Sequence, residues 1–210
     1  MIELRGRDVL LRPLAVEDAA ALAAAASESR ENYLYNPVPD GEEQAKQYIE
    51  RALMLRDRGE RMPFVIIFLG KVVGTTSYAK LETWEWPQGS ARQRRNIPDV
   101  VEIGGTWLAQ SAQRTRCNTE AKFLLMSHAF DIWNVYRVSF RTDKRNERSR
   151  RAIERLGAKF EGIRRADMPS TDGNVRDSAY YSITLEEWPE VRSHILTLLD
   201  AQSIIPPDLP

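Results

Sequence analysis

The sequence predicts a mixed α/β fold, an α+β arrangement in one domain. Segments with strand-like and helix-like hydrophobic spacing alternate in the order β-α-α-β-β-β-α-β-α-β-β. The chain has 210 residues, which is an ordinary size for one domain with a proper core. No internal repeat or low-complexity block interrupts this order. We therefore expect one domain over residues 1–188, followed by a C-terminal helix and tail at 189–210.

The first third of the chain is predicted to hold one strand and two helices. Residues 8–13 form a strand that ends at Pro13. The Ala-rich segment 17–29 is a helix with acidic residues in its first turn, as the helix dipole favours. After the turn residues 36–41, apolar side chains recur at helical spacing over 42–58, which predicts the second helix.

The next segments predict a β-hairpin and a long loop. Residues 64–69 and 72–78 are apolar runs joined by a Gly-Lys turn. Residues 82–99 show no periodicity and carry Trp84 and Trp86 among several arginines. Because long loops in compact domains often serve function, we expect this one to be a substrate lid.

The second half of the chain alternates strands and helices. The predicted strands are 100–108, 136–141, 158–166 and 176–185, and the predicted helices are 119–133, 146–156 and 188–201. Asn146 is placed to cap one of these helices, and Gly157 stands at the position after its end. Residues 204–210 are predicted to be a frayed tail.

Composition excludes several classes of protein. The single cysteine rules out a disulfide framework, and two histidines far from it leave no ligand set for a structural zinc site. The 30 basic and 30 acidic residues cancel, which argues against a general nucleic-acid or membrane-surface binder. No apolar run is long enough to span a bilayer, and the first residues do not resemble a signal peptide. We expect a cytoplasmic protein that requires no metal.

The zero net charge conceals an uneven distribution. Residues 1–60 hold 12 acidic and 8 basic residues, whereas residues 137–165 hold 11 basic and 4 acidic ones. A solvated helix face would explain the basic run, and so would the rim of a site for a polyanionic ligand. Composition alone does not choose between them.

One strand–turn–helix segment has the features of a phosphate site. The strand 100–108 leads through a turn into the helix at 119, and such a turn presents unpaired amides at the positive end of a helix dipole. Arg114 and Arg116 lie in the turn, and guanidinium groups pair with phosphate oxygens through two parallel hydrogen bonds.

Five segments stand in a specific order along the chain: Leu-Arg-Pro-Leu at 11–14, Val-Gly-Thr-Thr at 73–76, Glu-Ile-Gly-Gly-Thr-Trp-Leu at 102–108, Thr-Glu-Ala at 119–121 and Asn-Glu-Arg-Ser-Arg-Arg-Ala-Ile-Glu-Arg-Leu-Gly at 146–157. In this order they resemble the GCN5-related N-acetyltransferases, and within them the branch named for the ribosomal-protein (Rim) acetyltransferases. The resemblance covers roughly residues 7–187. The resemblance implies a predominantly antiparallel central sheet with splayed strands, acetyl-CoA as donor, and direct transfer to a primary amine. That amine would belong to a protein N-terminus or to a small molecule.

The resemblance also implies which residues bind the cofactor. The family pattern at the pyrophosphate turn is Gln/Arg-x-x-Gly-x-Gly/Ala, and here Arg116 and Asn118 stand where small residues are expected. The implied set comprises Thr106, Trp107 and Leu108 for the acetyl oxygen, then Gln113, Arg114, Thr115, Arg116, Cys117, Asn118 and Thr119 at the turn, and Asn146 and Arg148 on the next helix.

Three residues are candidates for catalysis. Glu102 stands where many family members carry a Glu, and a carboxylate partly withdrawn from water can act as a base directly or through water. A role as the partner of an arginine would also explain this residue. Asp167 is the second candidate base, and Ser149 is a candidate acid for the departing thiolate. Asn146 and Ser149 would also form an ordinary helix cap without any catalytic role.

Two alternatives to an enzyme remain open at this point. A non-catalytic acyl-CoA-binding or regulatory domain is favoured by Arg116 and Asn118 at the turn. A nucleic-acid-associated protein would use the arginines at 92–95 and the basic run, but it lacks a stacking platform. Cys117 and His128 are expected to be structural, because no histidine lies near the cysteine and His128 falls among apolar residues. A homodimer is a further possibility.

Overall fold

The computed structural model describes residues 2–92 and 97–203 and has the expected mixed α/β architecture. One eight-stranded sheet is flanked by helices, and apart from one additional short strand at the start the element order agrees with the order predicted for the chain. The strands are β1 (Leu4–Arg5), β2 (Val9–Pro13), β3 (Met62–Phe68), β4 (Lys71–Glu82), β5 (Val100–Leu108), β6 (Arg137–Asp143), β7 (Lys159–Pro169) and β8 (Val175–Thr184). The helices are α1 (Ala19–Ser27), α2 (Gly41–Asp57), α3 (Cys117–Ser127), α4 (Glu147–Arg155) and α5 (Trp188–Ser203).

The strand order is β1-β2-β3-β4-β5-β6-β8-β7, and every neighbouring pair except β5 and β6 is antiparallel. The parallel pairing of β5 with β6 runs only from Val100 opposite Arg137 to Ile103 opposite Phe140. Beyond Ile103, β5 continues to pair with β4, while β6 continues to pair with β8. The two central strands therefore part, which is the splay that the resemblance implied.

Helices cover the two faces of the sheet. On one face α3 packs against β4, and the Tyr78 hydroxyl donates a hydrogen bond to the carbonyl of Leu125 at 2.7 Å. On the other face α2 approaches β4, where the hydroxyls of Tyr48 and Thr75 are 2.8 Å apart. The terminal helix α5 joins the α3 layer, because Trp188 stacks on Phe130 and belongs to the same core cluster.

Several predicted boundaries shift. The short strand β1 was not foreseen, and α3 begins at Cys117, two residues before the predicted start. Its C-terminal part, predicted as regular helix to residue 133, continues after Ser127 as a wider π-helical turn over His128–Ile132. The acidic residue Asp18 precedes α1 in a 3-10 turn and accepts hydrogen bonds from Arg12 and the Ala15 amide. The helix dipole predicted Asp18 in the first turn of the helix, but its contacts with Arg12 and Ala15 hold it in the turn before α1.

In its described parts, residues 83–92 and 97–99, the aromatic loop after β4 does not form the expected lid over the splayed strands. Trp84 stacks on Tyr136, which precedes β6, with ring centroids 5.6 Å apart. The carboxylate of Asp99 accepts hydrogen bonds from the Trp84 amide and from Trp86 Nε1. These contacts lie where β5 and β6 start, whereas the strands part towards their ends. The arginines at 94 and 95 and the tail at 204–210 lie outside the described residues.

Within the described ranges, no helix has both the length and the apolar character that crossing a membrane requires.

Gly74 sets the close approach of β4 to β5, and its substitution should destabilise the fold. A Cβ at this position would collide with the carbonyl oxygen of Trp107. That oxygen is backbone in a central strand, so it has little room to move. We expect Gly74→Ala to lower the free energy of unfolding by about 2–3 kcal/mol, measured by urea denaturation. Gly89→Ala is the matched control for glycine replacement, since nothing lies within 4 Å of its Cβ position. Equal effects of the two substitutions would contradict this interpretation.

Candidate active site

The parting of β5 and β6 opens the centre of the sheet to solvent. Most of β5 is buried, as expected for a central strand, yet Gly105 is exposed and its neighbours Gly104 and Thr106 are partly exposed. A bulge opposite Thr75–Ser77 accompanies this stretch, and Gly105 has φ +60°, which favours glycine. The stretch Gly104–Thr106 is therefore accessible to solvent in the middle of the sheet, and we refer to it as the recess of β5.

Both candidate bases contact one arginine. Glu102 precedes the exposed stretch, its side chain is 10% exposed, and Oε1 lies 3.3 Å from Arg141 Nη2. Asp167 on β7 accepts a hydrogen bond from Arg141 Nη1 at 3.2 Å and another from the Tyr180 hydroxyl at 3.1 Å. Arg141 thus holds together two carboxylates that are 65 positions apart in the chain.

The two carboxylates differ in their surroundings. The Asp167 side chain is 2% exposed. Burial opposes ionisation of Asp167, but hydrogen bonds from Ser178, Tyr180 and Arg141 outweigh it and lower its pKa. Burial likewise opposes the charge on Arg141, but Glu102, Tyr180 and Asp167 together outweigh burial and raise the pKa of Arg141, so it stays protonated. Asp167 is therefore an ionised, fully engaged carboxylate, while Glu102 lies nearer the recess.

The turn after β5 is held in place by side-chain contacts. Gln113 Nε2 donates to the carbonyl of Leu108 at 2.8 Å, and Arg148 Nη1 on α4 donates to Gln113 Oε1 at 3.0 Å. This pair brings the two segments predicted to bind the cofactor into direct contact. Arg114 is exposed and has φ +61°, so the turn contains a left-handed residue that is not glycine.

Several turn residues point inwards. The Thr115 hydroxyl accepts from the Cys117 amide and donates to the carbonyl of Ala112. The Thr119 hydroxyl is buried and accepts from Arg155 at 2.6 Å. Burial raises the pKa of the Cys117 thiol to about 12, so it is a poor nucleophile, which agrees with the structural role expected from the sequence. Asn118 is partly exposed in the first turn of α3.

Arg116 is also turned away from the turn. Its Nε lies 3.3 Å from a carboxylate oxygen of Asp8 and 3.3 Å from one of Glu120, and its side chain is 12% exposed. The guanidinium is thus engaged with two acidic groups inside the protein. It neither offers its charge to a phosphate nor blocks approach to the turn amides. Arg116, one of the two residues that favoured a non-catalytic domain, is therefore paired with acidic residues inside the protein.

The start of α4 borders a cleft of about 350 Å³. Asn146 Oδ1 accepts from the Ser149 amide at 3.0 Å, which confirms the predicted N-cap, and Gly157 ends the helix with φ +93°. Ser149 is partly exposed in the first turn. The cleft is lined by residues of α4 and its preceding turn and of the α1–α2 connection: Glu31, Leu34, Tyr35, Asn36, Arg145, Asn146, Glu147 and Arg148.

The end of β5 is tied to the α1–α2 connection. The Tyr33 hydroxyl donates to the carbonyl of Leu108 at 3.0 Å, and Asn36 Nδ2 lies 3.4 Å from the carbonyl oxygen of Thr106. Trp107, between them, is buried and packs edge-on against Tyr33. The backbone over 106–108 is thereby fixed on its carbonyl side.

Sequence reasoning missed a buried lysine beneath this strand. Lys122 on α3 is 6% exposed, and its Nζ lies 2.5 Å from the Thr106 hydroxyl and 3.3 Å from that of Thr76. Burial lowers its pKa to about 7. The signal was present in the sequence, because residue 122 shares the buried helix face of Leu125 and Ala129. The role of Arg141 was not predicted either, although Arg141 lies on a strand whose residues were predicted to alternate between the two faces of the sheet.

The basic run at 137–165 is mostly engaged by internal partners. Arg145 bonds Asp143 and Asp172, Arg150 bonds the Tyr181 hydroxyl, and Arg155 bonds Thr119. Arg148 and Arg114 remain exposed beside the turn. A polyanion at the N-termini of α3 and α4 would contact these two guanidinium groups and the first-turn amides of α3. The residues present therefore fit a phosphate-bearing group. Across the described part of the chain, no three His, Cys, Asp or Glu side chains group as metal ligands would.

Comparisons with known proteins agree with this geometry. Residues 8–159 match the family model of the acetyltransferase (GNAT) domain. A structure from T. thermophilus, provisionally named an acetyltransferase, is 33% identical with TM-score 0.76 and covers 95% of this chain and 97% of its own. A GCN5-related N-acetyltransferase from Brucella melitensis is 29% identical with TM-score 0.76, covering 94% of this chain and 85% of its own.

Two further comparisons complete these findings. Mycobacterium smegmatis RimJ, solved with CoA-disulfide, has the same fold at 22% identity and TM-score 0.74, covering 91% of this chain and 89% of its own. A search of curated protein sequences returned no match.

Proposed function

Because this chain belongs to the GNAT acetyltransferase family, we propose that it transfers the acetyl group of acetyl-CoA to an amine in the recess of β5. The observation that carries the proposal is the parting of β5 and β6 after Ile103, which exposes strand backbone beside Glu102. The ends of both strands lead into the N-termini of α3 and α4, where a phosphate-bearing donor fits.

The donor would be held by the residues around these two helix N-termini. The turn at 113–119 supplies backbone amides, and Gln113 and Arg148 hold the turn against α4. Arg114 and Arg148 provide exposed positive charge for phosphate oxygens. Asn146, already the cap of α4, lines the cleft that the pantetheine arm would occupy. The Arg116 guanidinium is left out of this set because it binds Asp8 and Glu120.

The transfer would be direct, with the amine attacking the thioester carbonyl while both substrates are bound. The amine must lose a proton, and Glu102, the carboxylate beside the recess, would accept it. The developing negative charge on the acetyl oxygen would be stabilised by backbone amides over 106–108, a segment that Tyr33 and Asn36 hold in place. Ser149, in the first turn of α4, would protonate the departing thiolate. Asp167 remains the second candidate base.

The acceptor is a primary amine of a small molecule or of a protein N-terminus. A cytoplasmic location and a homodimer are part of the same proposal. The dimer is supported by β7, an edge strand of the sheet on which Phe160 and Ile163 are exposed. Light scattering coupled to size-exclusion chromatography measures the oligomeric state; a monomer at all concentrations would contradict the dimer.

Acetyl-CoA should stabilise the protein against heat. At about 100 times its Kd a ligand adds about 2.7 kcal/mol to the free energy of unfolding, which for a chain of this size raises Tm by roughly 5–10 °C. We expect Arg148→Met to reduce this shift and Arg151→Met to leave it, because Arg151 pairs with Glu147 on the solvent side of the same helix. Differential scanning fluorimetry measures all three proteins. The absence of any shift at millimolar acetyl-CoA would refute the proposed function.

A further inference from the structure

The recess of β5 has a second charged group besides Glu102. Arg61 immediately precedes β3, and its Nη1 lies 3.3 Å from the point where a Cβ on Gly105 would stand. The Ser77 hydroxyl lies 3.1 Å from the same point. The guanidinium therefore covers the exposed bulge, and a side chain at position 105 would occupy its place.

Arg61 has no partner among the residues that the structure describes. No hydrogen bond or ion pair joins it to them, and its Nε is buried without an acceptor. A half-buried guanidinium without a carboxylate is costly, because desolvation is not offset by pairing. Arg141 on the same sheet shows the usual arrangement, with two carboxylates within 3.3 Å. The fold thus maintains an unpaired positive charge at an accessible position.

The carboxylate and the guanidinium flank adjacent glycines. Glu102 Oε1 is 3.6 Å from the Cβ position of Gly104, and Arg61 Nη1 is 3.3 Å from that of Gly105. Other polar groups nearby are already used: the Ser77 hydroxyl donates to the carbonyl of Gly104 at 2.9 Å, and that of Thr75 to Gly105 at 3.2 Å. Arg61 is therefore the donor left to meet a bound molecule here.

We propose that Arg61 binds an anionic group of the acceptor, a carboxylate or a phosphate, and thereby directs the acceptor amine towards Glu102. This inference rests on the proposed function and names its substrate class: small amines that carry an anion within a few bonds of the nitrogen. Gly104 and Gly105 are consecutive residues, so the two recognition points lie beside neighbouring positions of the same strand. Polyamines and other polycations are disfavoured, because a second ammonium would meet the Arg61 charge.

The test compares matched pairs of amines that differ in the anion. Each α-amino acid is assayed against its α-carboxamide, and phosphoethanolamine against ethanolamine, by thiol release from acetyl-CoA. We expect the wild-type protein to prefer the anionic member by about tenfold or more in kcat/KM. The pair that shows the larger ratio distinguishes a carboxylate from a phosphate.

Variants assign the preference to Arg61. Arg61→Met should bring the anionic-to-neutral ratio close to one, and Arg61→Lys should keep part of it because the charge remains. Arg56→Met is the matched control and should keep the wild-type ratio, since Arg56 lies in the last turn of α2 and pairs with Asp57 at 2.7 Å. If Arg61→Met does not fold, the anionic-to-neutral ratios of the wild type and of Arg61→Lys still test the inference.

The outcomes separate the two proposals. Turnover of both members of each pair at equal kcat/KM, or a preference that survives in Arg61→Met, would overturn the inference and leave the proposed function standing. Failure to bind acetyl-CoA together with no thiol release for any amine would overturn the proposed function and the inference with it.

Discussion

Glu102→Gln should lower kcat by about 10²- to 10⁴-fold, the range that general-base catalysis contributes. The amide keeps the size of the side chain and an oxygen that can accept from Arg141, so the local geometry should persist. It does not accept a proton from the acceptor amine. We expect the KM for acetyl-CoA to change little. Thiol release measured over a range of acetyl-CoA concentrations gives kcat and KM and tests both statements.

Asp167→Asn is the matched control, because it removes the other carboxylate of the same arginine. Asp167 is 2% exposed and receives hydrogen bonds from Arg141 and Tyr180, so its carboxylate is engaged on several sides. We expect a loss at least about tenfold smaller than that of Glu102→Gln. Full activity in Glu102→Gln would assign the base to Asp167 or to water, and a larger loss in Asp167→Asn would favour Asp167.

Lys122→Met should stabilise the protein at neutral pH, and the gain should vanish in alkali. Burial lowers the Lys122 pKa from 10.5 to about 7. Between these values the unfolded chain holds a proton that the folded chain has released, so wild-type stability rises with pH across this window. The full pKa shift corresponds to about 4–5 kcal/mol of unfolding free energy that the substitution would restore. The loss of the hydrogen bonds from Lys122 to Thr106 and Thr76 reduces this gain by about 1–3 kcal/mol.

The measurement is the free energy of unfolding in urea at about pH 6.5, 8 and 9.5 for variant and wild type. The difference between them isolates Lys122, because the titration of Cys117 and the tyrosines is common to both. Lys80→Met is the control, because the Lys80 side chain is 63% exposed and pairs with Glu82. The difference in unfolding free energy between this variant and the wild type should not change with pH. A pH-independent difference for Lys122→Met would show that this lysine is not neutralised by burial.

Local patterns predicted the elements well. Asn146 accepts from the Ser149 amide and Gly157 adopts positive φ, as a cap and a C-terminal glycine should. These features depend on residues within one helical turn, whose spacing is visible in the chain. The π-helical turn after Ser127 and the 3-10 turn at Val16–Asp18 were not predictable in this way, because packing of Trp188 and pairing of Asp18 with Arg12 shape them.

The role of individual charges was less predictable. Arg116 was predicted to be a phosphate ligand from its place in the turn, yet its guanidinium binds Asp8 near the chain start and Glu120. The sequence shows how many acidic and basic residues a segment holds. Which groups these residues pair with depends on which helices and strands pack beside the segment. Most of the basic run at 137–165 proved to be paired internally for this reason.

The sequence by itself determined the order of strands and helices, the helix caps, and the family pattern that placed a carboxylate at Glu102, because these features arise from neighbours along the chain. Only the tertiary structure decided that Arg141 bridges Glu102 and Asp167 and that Lys122 is buried beneath Thr106. It also decided that Arg61 lies over Gly105 without a partner among the described residues. These contacts join residues that are far apart in the chain. They depend on strand register and on the point where β5 and β6 part, which no local pattern encodes.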